Sequence, residues 1–345
     1  MRKGAWILVL LFMVLLGWGA VNAQEPISIA LINSVTGEKA LPGVYKTSAI
    51  QMAIEEWNEK GGVLGRPVRL HIEDDTGTTS GAVTAFKRVL SEIKPVAVFG
   101  PIYSVMELAM VPWMLQGQVP VIAGATNVKL THQNNPWYFR IRSNDGVDTK
   151  LAAKFAVVEL GAKKIGLLHD SDEFGTGGAR MVAAEIPAFG GEVVASHAYH
   201  GGDKDFSSQL LDFQRKGVDV IIAWGHPVEA GLVYRQKASM GIDIPIVGSP
   251  SWGTPVAIDL SEGGADGNFT IVDYISTDPD PIVKEFDKKF REKFNLESEY
   301  FGASYYDGVN ILFSAIERAG SLEPEAIREA LLTTRDFRGV VGCYN

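Results

Sequence analysis

Gly100-Pro-Ile-Tyr-Ser104 and Ala123-Gly-Ala-Thr126 are the two stretches on which the reading of this chain turns. Each follows a short, wholly apolar run of the kind that forms a buried strand, Val96–Phe99 and Val119–Ala123. Ser104 stands immediately before a helix-like run, Val105–Leu115. Small and hydroxyl residues at the carboxyl ends of parallel strands bring backbone N–H and side-chain O–H groups together, which suits an anion. The two stretches are one αβ step apart, so their strands are expected to be neighbours in a parallel sheet. Ser104, Gly124 and Thr126 would then converge on one cradle for a carboxylate or another small polar group. Plain helix capping is the alternative use of Ser104 and Thr126.

Outward from these stretches the chain alternates strand and helix patterns. Towards the amino terminus lie a strand at Ile27–Ile32, a helix at Gly43–Lys60 stopped by Gly61-Gly62, a strand at Val68–Glu73 and a helix at Ser80–Ser91. This is βαβαβαβ, which implies a parallel sheet with helices on both faces. Asn134-Asn135-Pro136 interrupts it, and Tyr138–Arg142 reads as an extended crossing segment. A second series follows, with helices at Thr149–Leu160, Phe174–Pro187, Phe206–Lys216 and Val228–Met240. Its strands are Lys164–His169, Glu192–Ala198, Val218–Trp224 and Ile246–Val247. Asn268–Tyr274 reads as a further strand and a second crossing. The remainder is helical at Pro281–Phe294, Tyr305–Ala319 and Pro324–Leu332. The expected class is α/β, with two Rossmann-like lobes built on parallel sheets.

Residues 1–23 have the form of a secretion leader: Arg2 and Lys3, an unbroken apolar stretch Ala5–Leu16, and the small-x-small triplet Val21-Asn22-Ala23. The apolar core is too short to span a bilayer comfortably, and no cysteine follows it for lipid attachment. Loss of the leader removes two basic residues and moves the formal charge from −9 to −11. An acidic chain argues against a nucleic-acid partner. Cys343 is the sole cysteine, so neither an intrachain disulfide nor a cysteine metal cluster can form.

Several chemical signals are set aside. Gly175-Thr-Gly-Gly178 has the look of a dinucleotide loop, but Arg180 occupies the third glycine position and the next strand ends in Ala195-Ser196-His197, with no acid for a ribose. His197 and His200 have metal-like spacing without a third ligand. Glu73-Asp74-Asp75 is read as a solvated loop or cap. No nucleophile elbow, zinc-protease helix or P-loop occurs. No cofactor, metal or catalytic set is expected.

The order and spacing of Gly61-Gly-Val-Leu-Gly65, Asp74-Asp75, Gly124-Ala-Thr-Asn127, His169-Asp170 through Phe174-Gly175, Lys204-Asp-Phe-Ser207, Gly241 to Gly248 and Tyr306-Asp307 give the chain a resemblance to the periplasmic solute-binding proteins of branched-chain amino acid ABC transporters, over nearly its whole length. The resemblance implies a type I periplasmic binding fold, with a first lobe of 24–144 plus 275–345 and a second of 145–274. It implies three crossings between the lobes. Family members usually continue past a motif like Gly339-Val-Val-Gly342 to form the third, which is therefore expected to be missing here. It also implies a periplasmic receptor that closes on a small amino acid, organic acid or amide and presents it to an inner-membrane permease. A ligand-sensing regulator of the same fold is the alternative.

In that class a serine at the position of Ser104, a backbone group at Gly124 and the hydroxyl of Thr126 hold the ligand carboxylate. By the same resemblance Phe174 replaces a tyrosine on the cleft wall, His226 falls where another tyrosine is common, and Phe301 matches a phenylalanine. Pro42 stands where a cleft aromatic is expected. Tyr103 and Trp252 flank the cleft and are expected to add ring surface. Amino-acid binders carry an acid within the segment here reading Gly248-Ser-Pro-Ser-Trp-Gly253, where it pairs the ligand ammonium; Pro250 takes that place. Glu229 and Asp145 are read as surface or hinge charges. Burying an unpaired ammonium costs several kcal/mol, so a carboxylate without an α-amino group, or an amide, is the expected solute.

Overall fold

The computed structural model describes residues 24–37 and 39–345; the leader expected at 1–23 lies outside them. Among the described residues, two five-stranded sheets form the frame. The first contains β1 (Ile27–Asn33), β2 (Val68–Asp74), β3 (Val98–Phe99), β4 (Val121–Ala123) and β5 (Tyr138–Arg140). Their order is β2-β1-β3-β4-β5, and every pairing is parallel. The second contains β6 (Lys164–Asp170), β7 (Glu192–Tyr199), β8 (Val220–Trp224), β9 (Ile246–Gly248) and β10 (Phe269–Thr270). It runs β7-β6-β8-β9-β10, again all parallel. The two sheets thus repeat one strand order.

Strand alternation gives each sheet two cores. On β1, Ile27, Ile29 and Leu31 pack with Ile50 and Ala53 of α1 (Ala40–Glu59), while Ala30 and Ile32 face Phe86 of α2 (Thr79–Arg88) and Met106, Met110 and Met114 of α3 (Ser104–Gly117). In the second sheet Ile165 and Leu167 pack against α4 (Asp145–Lys154) and α5 (Glu173–Phe189). Leu168 and Ile221 pack on the other face, against α6 (Ser207–Arg215) and α7 (Pro227–Ser239). Burial of both faces explains why these strands read as continuous apolar runs rather than as alternating ones. Gly62 ends α1 where only glycine serves: its φ is 81°, and a Cβ there would lie 1.9 Å from the Arg66 carbonyl oxygen.

After β9 come α8 (Pro255–Leu260), β10, α9 (Pro281–Phe294), α10 (Tyr300–Ala319) and α11 (Pro324–Leu332). Val309, Leu312, Phe313 and Ile316 of α10 return to the first sheet's core. The chain closes with an antiparallel pair, β11 (Phe337–Arg338) and β12 (Cys343–Tyr344).

Four expectations need correcting. Tyr138–Arg142 is not only a crossing segment: Tyr138–Arg140 hydrogen-bonds to β4 as the fifth strand, because Tyr138 is buried under α3 with its hydroxyl on Glu107. The strand at Asn268–Tyr274 shortens to Phe269–Thr270. Helix α10 begins at Tyr300, not Tyr305, because the Glu299 carboxylate caps it, accepting from the N–H groups of Phe301 and Gly302 at 2.9 and 2.7 Å. Helix α4 begins at Asp145, four residues before the expected start, capped by the Asn144 side chain.

Candidate functional site

In sheets of this order a solute is held at the carboxyl ends of the strands where the order reverses, beside β1 and β3 in the first sheet and β6 and β8 in the second. The loops that leave β3, β4, β6, β8 and β9 here come together around one narrow cavity. Eight of the nine residues singled out in the sequence line it. Tyr103, Ser104, Gly124, Thr126 and Phe301 come from the first sheet's side. Phe174, His226 and Pro250 come from the second.

Ser104 is the first residue of α3 and Thr126 lies in the loop after β4; both are buried. The Ser104 Oγ accepts from the Asn127 N–H at 3.3 Å, which ties the two loops together and leaves the hydroxyl proton to be given elsewhere. Gly124 is placed as expected but does not offer its N–H. That group donates to the Tyr305 hydroxyl at 3.0 Å, and the same hydroxyl sits 2.9 Å from the Gly100 carbonyl oxygen and 3.0 Å from that of Pro101. Beneath them the fully buried Lys46 donates to the carbonyls of Ile32 and Gly100, each at 3.0 Å; burial pulls its pKa down to about 7. The cradle loops are therefore fixed from below by Lys46 and Tyr305.

The opposite wall is aromatic. The His226 ring stacks on Phe174 at 5.3 Å and meets the edge of Tyr103 at 5.1 Å, so rings from both sheets touch across the cleft. His226 Nε2 lies 2.8 Å from the Asp172 carboxylate. Burial opposes charge on Asp172, but its bond to His226 and the Gly175 N–H outweigh this and hold its pKa below the usual value. A wider, more open groove adjoins the cavity and shares Tyr103, His226 and Pro227 with it.

Trp252 is the ninth residue, and it does not line the cavity. It is buried against Tyr234, rings edge to face at 5.2 Å. Successive residues of the tight turn Pro250–Gly253 project about a third of a turn apart, so with Pro250 and Ser251 facing the cavity Trp252 is turned into the second core. Pro42 lies in α1, not in a loop, and is not among the lining residues. Glu229 and Asp145 are not surface charges either. Glu229 is buried and accepts from the Gly202 N–H at 2.8 Å. Asp145 is buried at the start of α4, and burial raises its pKa to about 7 despite the nearby Thr126 hydroxyl. Asp74 and Asp75 tie loops together: Asp74 accepts from the N–H groups of Val35 and Thr76, Asp75 from the Ser34 hydroxyl.

Sequence reasoning missed Arg142, Ile102 and Pro227. Arg142 matters most. Its guanidinium grips Asp273 through Nε at 2.9 Å and Nη2 at 3.2 Å, lies 4.1 Å over the Tyr300 ring, and approaches the Gly124 carbonyl through Nη1 at 3.5 Å. Burial works against its charge, but Asp273 keeps it firmly protonated. A second arginine two residues after Arg140, within the extended Tyr138–Arg142 segment, was the available signal; its partner lies 131 residues away. Among the described residues that line the cavity, none is a carboxylate.

A two-lobed α/β molecule with a closed polar and aromatic cavity between parallel-sheet edges has the architecture of a solute-binding protein. The chain matches the periplasmic binding protein family over residues 26–344, and it belongs to that family. It is 29% identical to a leucine-, isoleucine-, valine-, threonine- and alanine-binding protein of Pseudomonas aeruginosa, over 96% of this chain and 89% of the relative. Among solved structures it resembles the leucine-binding protein LivK of Thermotoga maritima (29% identity, TM-score 0.86, covering 92% of this chain and 91% of that one). It also resembles the branched-chain amino acid transporter substrate-binding protein LivJ of Streptococcus pneumoniae in complex with isoleucine (28%, TM-score 0.87, 93% and 92%).

Proposed function

We propose that this chain is the periplasmic receptor of an ABC importer, exported by a cleaved leader at 1–23, which captures a small carboxylate or amino-acid-like solute and presents it to an inner-membrane permease. The observation that carries this reading is the cavity at the carboxyl ends of the strands, to which both sheets contribute. A solute touching both walls favours the closed arrangement, because only there does it meet both sets of groups. We assign the first lobe to 24–144 plus 275–345 and the second to 145–274, with hinge bending at Ile141–Asn144 and Ile271–Ser276. Ser104 and Thr126 hold the solute's polar head, and Phe174, His226, Pro250 and Phe301 enclose its body. On this reading the protein is a binder and not an enzyme: among the described residues no carboxylate lines the cavity, and its histidine, His226, is paired with Asp172. A thermal-shift screen over amino acids, carboxylic acids and amides, followed by calorimetry, tests the reading. One solute class is expected to stabilise the protein, and Ser104→Ala to weaken its binding by about tenfold or more, the value of one hydrogen bond to a charged group. Failure of every class to bind would refute it.

A further inference from the structure

Arg142 has more donors than the fold uses. A guanidinium carries five N–H groups in a rigid fork. Asp273 takes two of them, and the Gly124 carbonyl receives one long contact of 3.5 Å. The side chain is only 3% exposed, so water does not satisfy the rest freely, and the residue lines the cavity. Tyr300 beneath the guanidinium and Asp273 along one edge fix its plane. The Ser104 hydroxyl and the amino terminus of α3, whose axis starts at that residue, face the same space and add partial positive charge.

The opposite requirement, an anion for an ammonium, is not met. Asp172 is occupied by His226, Glu229 by the Gly202 N–H, and Asp273 by Arg142 itself. Asp145 stands off the cavity at the start of α4. A zwitterion closed into this cavity would bury a bare ammonium, the costlier of its two charges here.

We propose that Arg142 is the specificity-determining residue of the cleft: it selects a monocarboxylic acid that carries no ammonium, sharing the carboxylate with Ser104 and Thr126 while an apolar or aromatic body lies against Ile102, Phe174 and Phe301. This rests on the receptor reading above. It makes Asp273 the positioning residue that holds the fork.

Calorimetry with probes of one skeleton tests the assignment. L-leucine carries both charges, 4-methyl-2-oxopentanoate the carboxylate alone, and 4-methylpentanamide neither; benzoate tests an aromatic body. The wild-type protein is expected to bind the oxo acid or benzoate at least tenfold more tightly than leucine. Arg142→Gln strands Asp273, so the informative variant is Arg142→Gln with Asp273→Asn, which removes both charges together. It is expected to lose at least tenfold in affinity for the acid and distinctly less for the uncharged amide. If the double variant fails to fold, the wild-type ranking decides alone. Leucine or the amide binding more tightly than both acids, or acid affinity unaltered in a folded double variant, overturns the assignment while the receptor reading stands. Absence of binding by every amino acid, acid and amide overturns both.

Discussion

Behind the cradle, Asp145 is a carboxyl group with no room for its charge. Burial raises its pKa from 3.8 to about 7. Between those values the folded chain keeps a proton that the unfolded chain gives up, so this group's contribution to stability is full below pH 4 and is lost as the pH climbs through 7. Asp148, Glu299 and Asp307 are raised by burial in the same direction, to about 6, 7 and 6. Asp145→Asn is neutral at every pH and is expected to stabilise the protein more at pH 8 than at pH 5, the difference being on the order of 2 kcal/mol. Urea titrations of both proteins at the two pH values measure the difference, and a pH-independent effect would reject it. At this scale the sequence was readable where a residue's role is local: Ser104 and Thr126 sit where strand ends and helix starts put them. It was unreadable where the role depends on a distant partner. Arg142 needs Asp273, and Trp252 needs Tyr234, before either can be assigned a side of the chain.

Elements were legible where hydrophobic period and punctuation agree. Pro281–Phe294 and Pro324–Leu332 have the expected bounds, each with a proline in its first turn. Elements decided by tertiary partners were not: β5 is a strand because β4 lies beside it, and α10 gains its first turn from the Glu299 cap. The hairpin of β11 and β12 gave no period at all. It is held by Asp307, whose carboxylate accepts from the Val340 and Val341 N–H groups at 2.7 and 2.9 Å. Helix α5 packs tightly on β8 at Gly178. A Cβ there would fall 2.1 Å from Trp224 Cδ1 on β8, and Trp224 in turn supports Phe174 at 6.2 Å. Gly178→Ala is therefore expected to destabilise the second lobe by about 1–3 kcal/mol and to weaken solute binding through Phe174. Denaturant midpoints and calorimetry read the two effects, and an unchanged midpoint would show that α5 can shift without cost.

For the whole molecule, the repeated strand order was visible in the sequence as two successive β/α series, because parallel sheets need a helix between each pair of strands. What holds the halves together was not visible. The ring contact of Tyr103 with His226 and the clamp of Arg142 on Asp273 join segments that no local pattern connects. If solute is what sustains the closed arrangement, X-ray scattering is expected to show a smaller radius of gyration with solute than without it. Thermal stability should rise with its concentration, by about 2.7 kcal/mol at a hundredfold excess over Kd. Equal radii in the two states would mean that closure does not depend on the solute.

Tyr344 carries one more implication. Its hydroxyl reaches the Ile141 carbonyl at 3.2 Å, on the segment that leaves the first sheet for the second, and the residue before it is Cys343, an exposed thiol and the only one in the chain. A maleimide dye attached there would label every copy once, beside the segment proposed above as a hinge, so the unaltered polypeptide comes with its own attachment point for an optical gauge of capture.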